Sequence, residues 1–458
     1  MTPGSRWPRC RQEGKPAGGR GLSSRRDRPT TGTGARRQET GPASVDDVTS
    51  TRARTQTGAP TLSGEALGHL SCRLWAWFGD TALPLWWRVG ADHARGGFHE
   101  ALGQDGVPVA LPRRCRVQPR QIHAFSLAAR LGWRGPAGRA AEHGLSYFLD
   151  RFRRPDGLFR ASVEIDGRAR DDRAFLYDQA FALLGLHAAH DLDPRPELRS
   201  AAEDLLARVR RRFEYPGGGF REEGDAPFQS NAQMHLFEAC IAWGAVAGGP
   251  FAQVADEIGA LCLERLIDPG AGVIDEVYDA AWRPVAPEGG AGGERRIEPG
   301  HQFEWAWLLM QWDQAGVRGC RAPAERLFAA GEASVCRARH AVPAAMSPEG
   351  RVFEPVARLW PQTERLRTAA LLAGEAGADR STYERAALDA GEGLLMFLRT
   401  PVAGLWRDKR LPDGTFVEEA APASSLYHLA EAIGALKERF GGAEPPMAAS
   451  SWASETAR

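Results

Sequence analysis

Apolar residues recur at helical spacing in twelve stretches of the chain, which together cover most of residues 61–440. Apolar side chains placed every three to four residues predict helices that bury one face or more. The stretches are 61–79, 119–132, 137–153, 171–190, 196–213, 231–247, 251–267, 300–316, 322–340, 361–377, 380–398 and 424–440. Their lengths are those of ordinary globular helices.

A glycine-containing signal separates alternate helical stretches. In each copy a glycine precedes an apolar residue and a short polar strand, as in Gly97-Phe98, Gly157-Leu158, Gly219-Phe220, Gly272-Val273 and Gly404-Leu405. Several copies carry an Asp-Gly pair, which favours a β-hairpin turn. With a weaker copy at 343–353, the signal recurs roughly every sixty residues, so the chain consists of repeated helix pairs.

Six helix pairs predict an all-α fold. An open solenoid of such pairs would need polar caps at both ends. We therefore expect closure into a double ring, with inner and outer helices and the short β-hairpins at one mouth. Residues 61–440 form this single domain.

The two ends of the chain differ from the repeats in composition. Residues 1–60 hold 12 Lys and Arg against 5 Asp and Glu, with few apolar residues to bury, and we expect them to be disordered. They lack the continuous apolar segment of a secretory signal, and Glu39, Asp46 and Asp47 are atypical of a transit peptide. A nucleic-acid-binding arm and a misassigned start codon are the alternatives. Residues 441–458 predict a flexible tail.

Charge and cysteine content narrow the class of protein. The net charge is zero and the repeats are mildly acidic, which gives no reason to expect a nucleic-acid partner. Seven scattered cysteines without a Cys-x-x-Cys pair are typical of reduced thiols in a cytoplasmic protein. No apolar run approaches the roughly 18 residues that cross a bilayer, so we expect no membrane partner.

The most informative stretch begins at Glu298-Pro299-Gly300-His301. His301 and Glu304 are three residues apart at the start of a helix, where a carboxylate can bond the imidazole. Such a bond fixes the tautomer and raises the basicity of the other ring nitrogen, as a catalytic base requires. The alternative is a capping acid beside a structural histidine.

A second polar cluster opens another helix. Asn231 and His235 share a helix face, although Asn231 also suits a helix N-cap and His235 suits a core position. His235 and Glu238 repeat the His-x-x-Glu spacing, so a metal centre has to be considered. The additional ligands of zinc or di-iron sites are missing, and we therefore expect no metal and no cofactor.

Arginine and aromatic residues occupy other helix starts. Arg120 is suited to bind sugar hydroxyls or an oxyanion, and a surface salt bridge is its alternative. Trp360 precedes a proline-started helix and Trp406 lies in the last hairpin, where indoles can stack on sugar rings. His428 lies one turn into the last helix, after Ser424. Taken singly, each also suits a structural role.

Five motifs in one order resemble the N-acylglucosamine 2-epimerase superfamily, which includes cellobiose 2-epimerases, mannose isomerases and sulfoquinovose isomerases. The resemblance covers about residues 67–440. It rests on Arg116-Val117-Gln118-Pro119-Arg120, Met234-His235-Leu236-Phe237-Glu238-Ala239, the stretch from Glu298 to Trp305, Leu359-Trp360-Pro361-Gln362-Thr363-Glu364 and Tyr427-His428. The fold that it implies is an (α/α)6 barrel, in agreement with the six helix pairs.

The resemblance also implies roles for single residues. His301 and His428 match the two acid/base histidines, His235 a third active-site histidine, and Glu304 the carboxylate that orients His301. The remaining matches are to substrate-binding residues: Arg120, Asn231, the stacking Trp360 and Trp406, and Tyr177. Two features depart from the family pattern, namely the basic leader and His123, where Tyr or Trp is usual.

These roles imply proton transfer beside a sugar carbonyl, without a metal. Histidine can take and return such a proton near neutral pH, and Arg120 would stabilise the enediolate oxygen. We expect a sugar isomerase that interconverts mannose, or a related hexose or hexose phosphate, with its ketose. The alternatives are 2-epimerisation of N-acylglucosamine or a glucose-type sugar, a glycoside hydrolase or lyase, and a non-catalytic sugar-binding protein. The oligomeric state, including a homodimer, stays open.

Overall fold

Twelve helices, joined in pairs, dominate the residues that the computed structural model describes, which are 62–287, 294–317, 319–375 and 379–441. In chain order they are α1 (Leu62–Trp77), α2 (Val117–Arg130), α3 (Ala137–Arg151), α4 (Leu176–Leu192), α5 (Pro196–Phe213), α6 (Ser230–Ala247), α7 (Gly249–Leu261), α8 (Pro299–Gln314), α9 (Arg321–Ala333), α10 (Leu359–Glu375), α11 (Arg380–Phe397) and α12 (Ser425–Phe440).

The even-numbered helices form the inner ring of an (α/α)6 barrel. Each inner helix packs against the next, and α12 packs against α2, so the ring closes. The odd-numbered helices lie outside, each against an inner helix of its own pair, with α1 against α12. The predicted fold class is confirmed.

The two rings differ in how their helices are buried. The outer helix α5 buries Leu198, Ala202, Leu205, Val209 and Phe213 at helical spacing, which is one amphipathic face. The inner helix α4 is buried on almost every side, because it contacts two inner neighbours, an outer helix and the barrel axis. Polar residues on an inner helix therefore need a partner or a function.

Short antiparallel strands lie in the loops that lead into the inner helices. They are β1 (Ala101–Leu102), β2 (Arg113–Arg114), β3 (Ser162–Val163), β4 (Ala169–Asp171), β5 (Ala345–Met346), β6 (Val352–Glu354), β7 (Ala357–Arg358), β8 (Lys409–Arg410) and β9 (Ala421–Pro422). The pairs β3–β4 and β5–β6 are hairpins, whereas β2–β3, β7–β8 and β1–β9 join different repeats. Pairing between repeats links the first loop of the barrel to the last.

A glutamine near the start of five inner helices holds the preceding loop. The side-chain amide accepts a hydrogen bond from a backbone N–H and donates one to the C=O of the same loop residue, at 2.6–3.1 Å. The pairs are Gln118 with Phe98, Gln179 with Phe159, Gln233 with Phe220, Gln302 with Ile274 and Gln362 with Val342.

This pair of hydrogen bonds, which we call the glutamine clamp, accounts for the glycine at the start of the first loop. Gly97 has a φ of 67°, which disfavours any residue with a Cβ. A Cβ there would also lie 2.8 Å from Oε1 of Gln118 and 2.4 Å from the Tyr147 ring. Gly219 likewise would place a Cβ 3.1 Å from Oε1 of Gln233, so at these two positions the glycine marks a close approach of the loop to the inner helix.

Some predicted boundaries were wrong. The stretch 171–190 begins too early, because β4 extends to Asp171 and α4 starts only at Leu176. The stretch 322–340 ends too late, because α9 stops at Ala333 and the chain turns back at His340, whose φ is 50°. The predicted disordered leader lies outside the described residues, and so does the predicted tail beyond Gly441. None of the described helices is both long enough and apolar enough to cross a membrane.

Candidate active site

A polar cavity of about 680 Å³ opens at the N-terminal ends of the inner helices, where the loops gather. Its wall includes residues that stand two positions before a clamp glutamine, and the residue at the matching place before α12. These are Arg116, Tyr177, Asn231, Trp360 and Ser424. Eight residues expected at the site line it: Arg120, Tyr177, Asn231, His235, His301, Glu304, Trp360 and His428.

A ring of side chains surrounds the barrel axis at the base of the cavity, and four of its six members line the cavity. In five inner helices these residues come two positions after the clamp glutamine, and they are Arg120, Phe181, His235, Glu304 and Glu364, with His428 completing the ring from α12. Consecutive members are in contact: the Arg120 guanidinium lies 4.1 Å from the Phe181 ring centroid, and the His235 ring lies 4.5 Å from that ring. The repeat thus brings one side chain from every inner helix to the same height along the barrel axis.

His301 is held by a carboxylate from the preceding loop. Its Nδ1 atom lies 2.8 Å from Oε2 of Glu276, and both residues are buried. Burial alone would lower the pKa of His301, but the charge and hydrogen bond of Glu276, with Glu298 nearby, raise it to about 10. At neutral pH His301 is therefore a proton donor.

The expected pairing of His301 with Glu304 is wrong. Although Glu304 lies three residues after His301, its Oε1 atom is 4.0 Å from Nδ1 of His235 and 3.4 Å from the guanidinium of Arg367. Residues three apart lie on one face of a helix but about one turn apart along its axis. On the first turn His301 meets the loop of Glu276, whereas Glu304, one turn further in, meets His235 and Arg367. Glu304 belongs to the floor of the cavity.

His428 has the opposite electrostatic environment. Its Nδ1 atom lies 2.7 Å from Oε1 of Glu364, in a fully buried contact. Burial, together with the positive charges of Arg120 and Arg367, holds the pKa of His428 well below its usual range. His428 is therefore neutral at pH 7 and can accept a proton.

Trp360 lies between the two histidines. Its ring centroid is 4.9 Å from that of His301 and 5.8 Å from that of His428. A Cβ on Gly300 would lie 2.5 Å from the indole, so the Pro299-Gly300 turn leaves the space that Trp360 fills. The half-buried indole offers an apolar surface beside both proton-transfer groups.

Two buried polar atoms on the cavity wall have no partner within the protein. They are Nε of Arg120 and Oδ1 of Asn231. Arg120 donates a 2.7 Å hydrogen bond from Nη2 to the Tyr177 hydroxyl. Because an unpaired buried donor or acceptor is costly, these atoms are suited to bind hydroxyl groups of a ligand.

Trp406 is not in the cavity, contrary to expectation. It is fully buried and stacks on Trp86, with ring centroids 4.7 Å apart and an angle of 13° between the planes. The loop after α11 places the indole in the apolar core beneath the hairpin. His123, the other departure from the family pattern, lies one turn below Arg120, with Nε2 2.5 Å from Oε1 of Glu431.

The comparison with known proteins decides the family. Residues 96–432 match the model of the N-acylglucosamine 2-epimerase (GlcNAc 2-epimerase) family. The chain belongs to the N-acylglucosamine 2-epimerase family. It is 42% identical over 381 residues to a mannose-6-phosphate isomerase of Rhizobium meliloti (strain 1021), covering 81% of this chain and 97% of the relative.

Other relatives are more distant. A D-mannose isomerase of Pseudomonas cannabina pv. alisalensis is 28% identical over 221 residues, 44% of this chain and 51% of that protein. The solved structure of a D-mannose isomerase superposes with a TM-score of 0.73 at 19% identity, over 83% of this chain and 100% of that one. The cellobiose 2-epimerase of Spirochaeta thermophila DSM 6192 gives 0.74 at 20% identity, over 83% and 99%. This member of the family is a carbohydrate isomerase or epimerase, the class that the motifs predicted.

Two buried groups in this epimerase-family protein have the composition of metal sites. They are His235, Glu238 and Glu304, and Glu304, Glu364 and His428, with ligand atoms within 4.8 Å of one another. The guanidinium of Arg367 lies against both, 3.4 Å from Glu304 and 2.5 Å from Glu364. A permanent cation therefore already neutralises the shared carboxylates, and these residues fit a metal poorly.

Sequence reasoning missed Glu276 and Arg367. It also missed that Glu364 is the partner of His428. A signal for Glu276 exists in the repeat. An acid stands two residues after the clamped loop residue in Glu100, Glu222 and Glu276, and all three are buried. Glu222 accepts hydrogen bonds from the first backbone N–H groups of α4, and Glu276 accepts one from the backbone of Glu298. Alignment of the repeats would have marked this position as a helix-capping acid.

Proposed function

We propose that this protein catalyses the reversible isomerisation of mannose, or a closely related hexose, to the corresponding ketose. One observation carries the proposal: a histidine that is neutral at pH 7 and a histidine that is protonated flank the same indole in a polar cavity. Aldose–ketose isomerisation needs a base for the C2 proton and an acid for the carbonyl oxygen. His428 and His301 supply these two roles.

The proposed steps balance without any cofactor. Nε2 of His428 removes the C2 proton, the electron pair forms the C1–C2 double bond, and the carbonyl oxygen O1 takes a proton from His301. The enediol then returns the O2 proton to His301 as C1 accepts the proton held by His428, which leaves a ketone at C2. Arg120 stabilises the negative charge that develops on oxygen, and Asn231 and Trp360 bind the sugar.

The phosphorylated hexose is a second candidate substrate, supported by the name of the Rhizobium relative and by arginines at the mouth. Arg116 and Arg358 line the cavity and are held loosely, each with one carboxylate contact of 3.4 Å, to Asp178 and Asp408. The side chain of either arginine could rotate to bind the phosphate group of the substrate. If mannose 6-phosphate is the substrate, Arg116→Gln and Arg358→Gln should lower kcat/KM for it and leave any turnover of free mannose unchanged.

Epimerisation at C2 would use the same residues, with the enediolate re-protonated at C2 from the opposite face. Glycoside hydrolysis requires a pair of carboxylates across the scissile bond. The cavity carboxylates are already engaged: Glu276 with His301, Glu222 with the backbone of α4, and Glu304 with Arg367. This arrangement favours proton transfer over hydrolysis.

The deciding experiment is incubation of free and phosphorylated hexoses with the enzyme in heavy water, followed by NMR. Ketose carrying deuterium at C1, or aldose carrying deuterium at C2, is the expected product. His301→Ala and His428→Ala should each lower kcat by about a hundred- to ten-thousandfold, the usual worth of a positioned acid or base.

His187→Ala is the matched control. His187 is a half-buried histidine of the inner helix α4, outside the residues that line the cavity, and burial lowers its pKa to about 4. It should keep near-normal kcat. Release of monosaccharides from disaccharides without deuterium exchange, or near-normal turnover by either active-site variant, would refute the isomerase mechanism.

A further inference from the structure

Beneath the cavity floor, one guanidinium connects three carboxylates that each contact a histidine. Arg367 is fully buried, with Nε 2.5 Å from Glu364, Nη2 3.4 Å from Glu304 and Nη1 3.5 Å from Glu431. The guanidinium carbon lies over the Trp307 ring, 4.1 Å from its centroid. Nothing in the proposed mechanism uses this residue.

The contacts of Glu364 link Arg367 to the catalytic base. One oxygen, Oε2, faces Nε of Arg367, and the other, Oε1, lies 2.7 Å from Nδ1 of His428. The positive charge of the guanidinium beside Oε2 disfavours a proton on that oxygen. A proton taken up by Glu364 is therefore carried by Oε1, in the hydrogen bond to His428.

This arrangement gives the pair two states. With Glu364 ionised, Nδ1–H of His428 donates to Oε1 and Nε2 is left with its lone pair for the sugar. With Glu364 protonated, Oε1–H donates to Nδ1 and the proton of a neutral His428 is on Nε2, which cannot then act as a base. The positive charge of Arg367 favours the first state.

We propose that Arg367 is a positioning residue that keeps Glu364 an acceptor for Nδ1–H of His428, so that Nε2 is the base presented to the substrate. The inference rests on the proposed role of His428 as the base. Burial, with the carboxylates Glu304, Glu238 and Glu431, holds the pKa of Glu364 well above its usual range, and the guanidinium of Arg367 is the largest influence that opposes this rise. Loss of the guanidinium would therefore let the carboxyl group take up a proton.

Other charged or titratable groups face the Glu364–His428 pair from the helices packed around it. They are Arg120 and His123 of α2, His235 and Glu238 of α6, Glu304 of α8, Arg358 at the start of α10, and Tyr427 and Glu431 of α12. Glu304, Glu238 and Glu431 raise the proton affinity of Glu364, and Arg367 is the first of the charges that lowers it. Among these charges, the protonation of Glu364 thus depends most on this one cation.

The test compares Arg367→Met and Arg367→Lys with matched changes at Arg365. Arg365 lies two residues earlier on α10 and is equally buried, but it pairs with Glu332 at 2.6 Å and Asp389 at 2.7 Å, away from His428. We expect Arg367→Met to move the acidic limb of the kcat/KM profile upward by about one to three pH units. Arg367→Lys should move it less, and Arg365→Lys should leave it in place.

A second variant tests the same inference in case Arg367→Met does not fold. Glu431→Gln removes a carboxylate from the other side of the guanidinium and should move the same limb downward. An acidic limb that stays unchanged in folded Arg367→Lys and Glu431→Gln would show that Arg367 only stabilises the fold.

NMR of ring-labelled histidines provides a readout that does not need turnover. In the free wild-type enzyme the ¹⁵N shifts of His428, assigned by comparison with His428→Gln, should be those of the Nδ1–H tautomer. In the Arg367 variants they should change toward the Nε2–H tautomer. If the protein proved not to be an isomerase, this measurement would still decide the role of Arg367, and identical spectra would overturn it.

Discussion

Nδ1 of His301 lies 2.8 Å from Oε2 of Glu276, a residue 25 positions earlier in the chain. Glu276 also accepts a hydrogen bond from the backbone N–H of Glu298, at the start of α8. One carboxylate thus caps the helix and fixes the tautomer of the histidine on its first turn. The partner of the proposed acid is supplied by a loop and not by the helix itself.

Replacement of Glu276 should impair the acid more than replacement of any other nearby carboxylate. Glu276→Gln removes the charge that raises the pKa of His301, so kcat should fall about ten- to a hundredfold, as for loss of an orienting partner. The alkaline limb of the rate profile should also move toward neutral pH. Glu298→Gln is the control, because Glu298 is 3.9 Å from the same nitrogen and more exposed. Equal effects of the two changes would contradict the assignment.

The opposite pKa shifts of the two histidines predict a wide pH optimum. Activity requires unprotonated His428, so it is lost as pH falls through a pKa well below 6.5. Activity also requires protonated His301, so it is lost as pH rises through about 10. Measurement of kcat/KM at constant ionic strength should show a plateau across neutral pH. A narrow maximum with a limb between about pH 6 and 7 would show that one histidine titrates normally.

The two tryptophans that were predicted to stack on sugar should behave differently. Trp360→Ala should raise KM and lower kcat/KM, because the indole lies in the cavity beside both histidines. Trp406→Phe should leave KM unchanged and lower the thermal stability, because Trp406 stacks on Trp86 in the core. Steady-state kinetics and thermal melts of both variants make the comparison. An increase in KM for Trp406→Phe alone would place the sugar elsewhere.

Chelation should leave the activity intact. The carboxylates of both candidate metal groups contact Arg367 or a histidine, so their charge is balanced within the protein. The experiment is exhaustive dialysis against a chelator followed by assay in metal-free buffer. Loss of activity that zinc or manganese restores would show that one of the groups binds a catalytic metal.

The glutamine clamp should contribute to stability and not to catalysis. Gln179→Leu leaves the buried N–H and C=O of Phe159 without their side-chain partner. The free energy of unfolding should fall by about 1–3 kcal/mol for each group. The control is Gln253→Leu on the outer helix α7, where the amide bonds only the exposed Glu257. Urea unfolding should separate the two variants clearly. Similar unfolding midpoints would mean that the clamp is replaceable by water.

Sequence pattern predicted six helix pairs closed into a double ring, and the family resemblance pointed to eight of the residues that line the cavity. Hydrophobic periodicity reports which faces of a helix are buried, and a repeat of about sixty residues implies that the helix pairs are equivalent. Arg120, His235 and His428 are polar residues on nearly fully buried inner helices, and the structure places them in the ring around the axis. Family resemblance added roles for these residues, and those roles are proposals to be tested.

Only the tertiary structure decided which groups are partners. His301 pairs with Glu276 across a loop and His428 with Glu364 of another helix, whereas the near neighbour Glu304 turns to Arg367. Such choices depend on where loops and helices meet in space, and spacing along one helix does not contain that information. The same holds for Trp406, since a hairpin indole faces a cavity or the core according to how the loop packs. The sequence determined the scaffold, and packing between repeats determined the electrostatics of the two histidines.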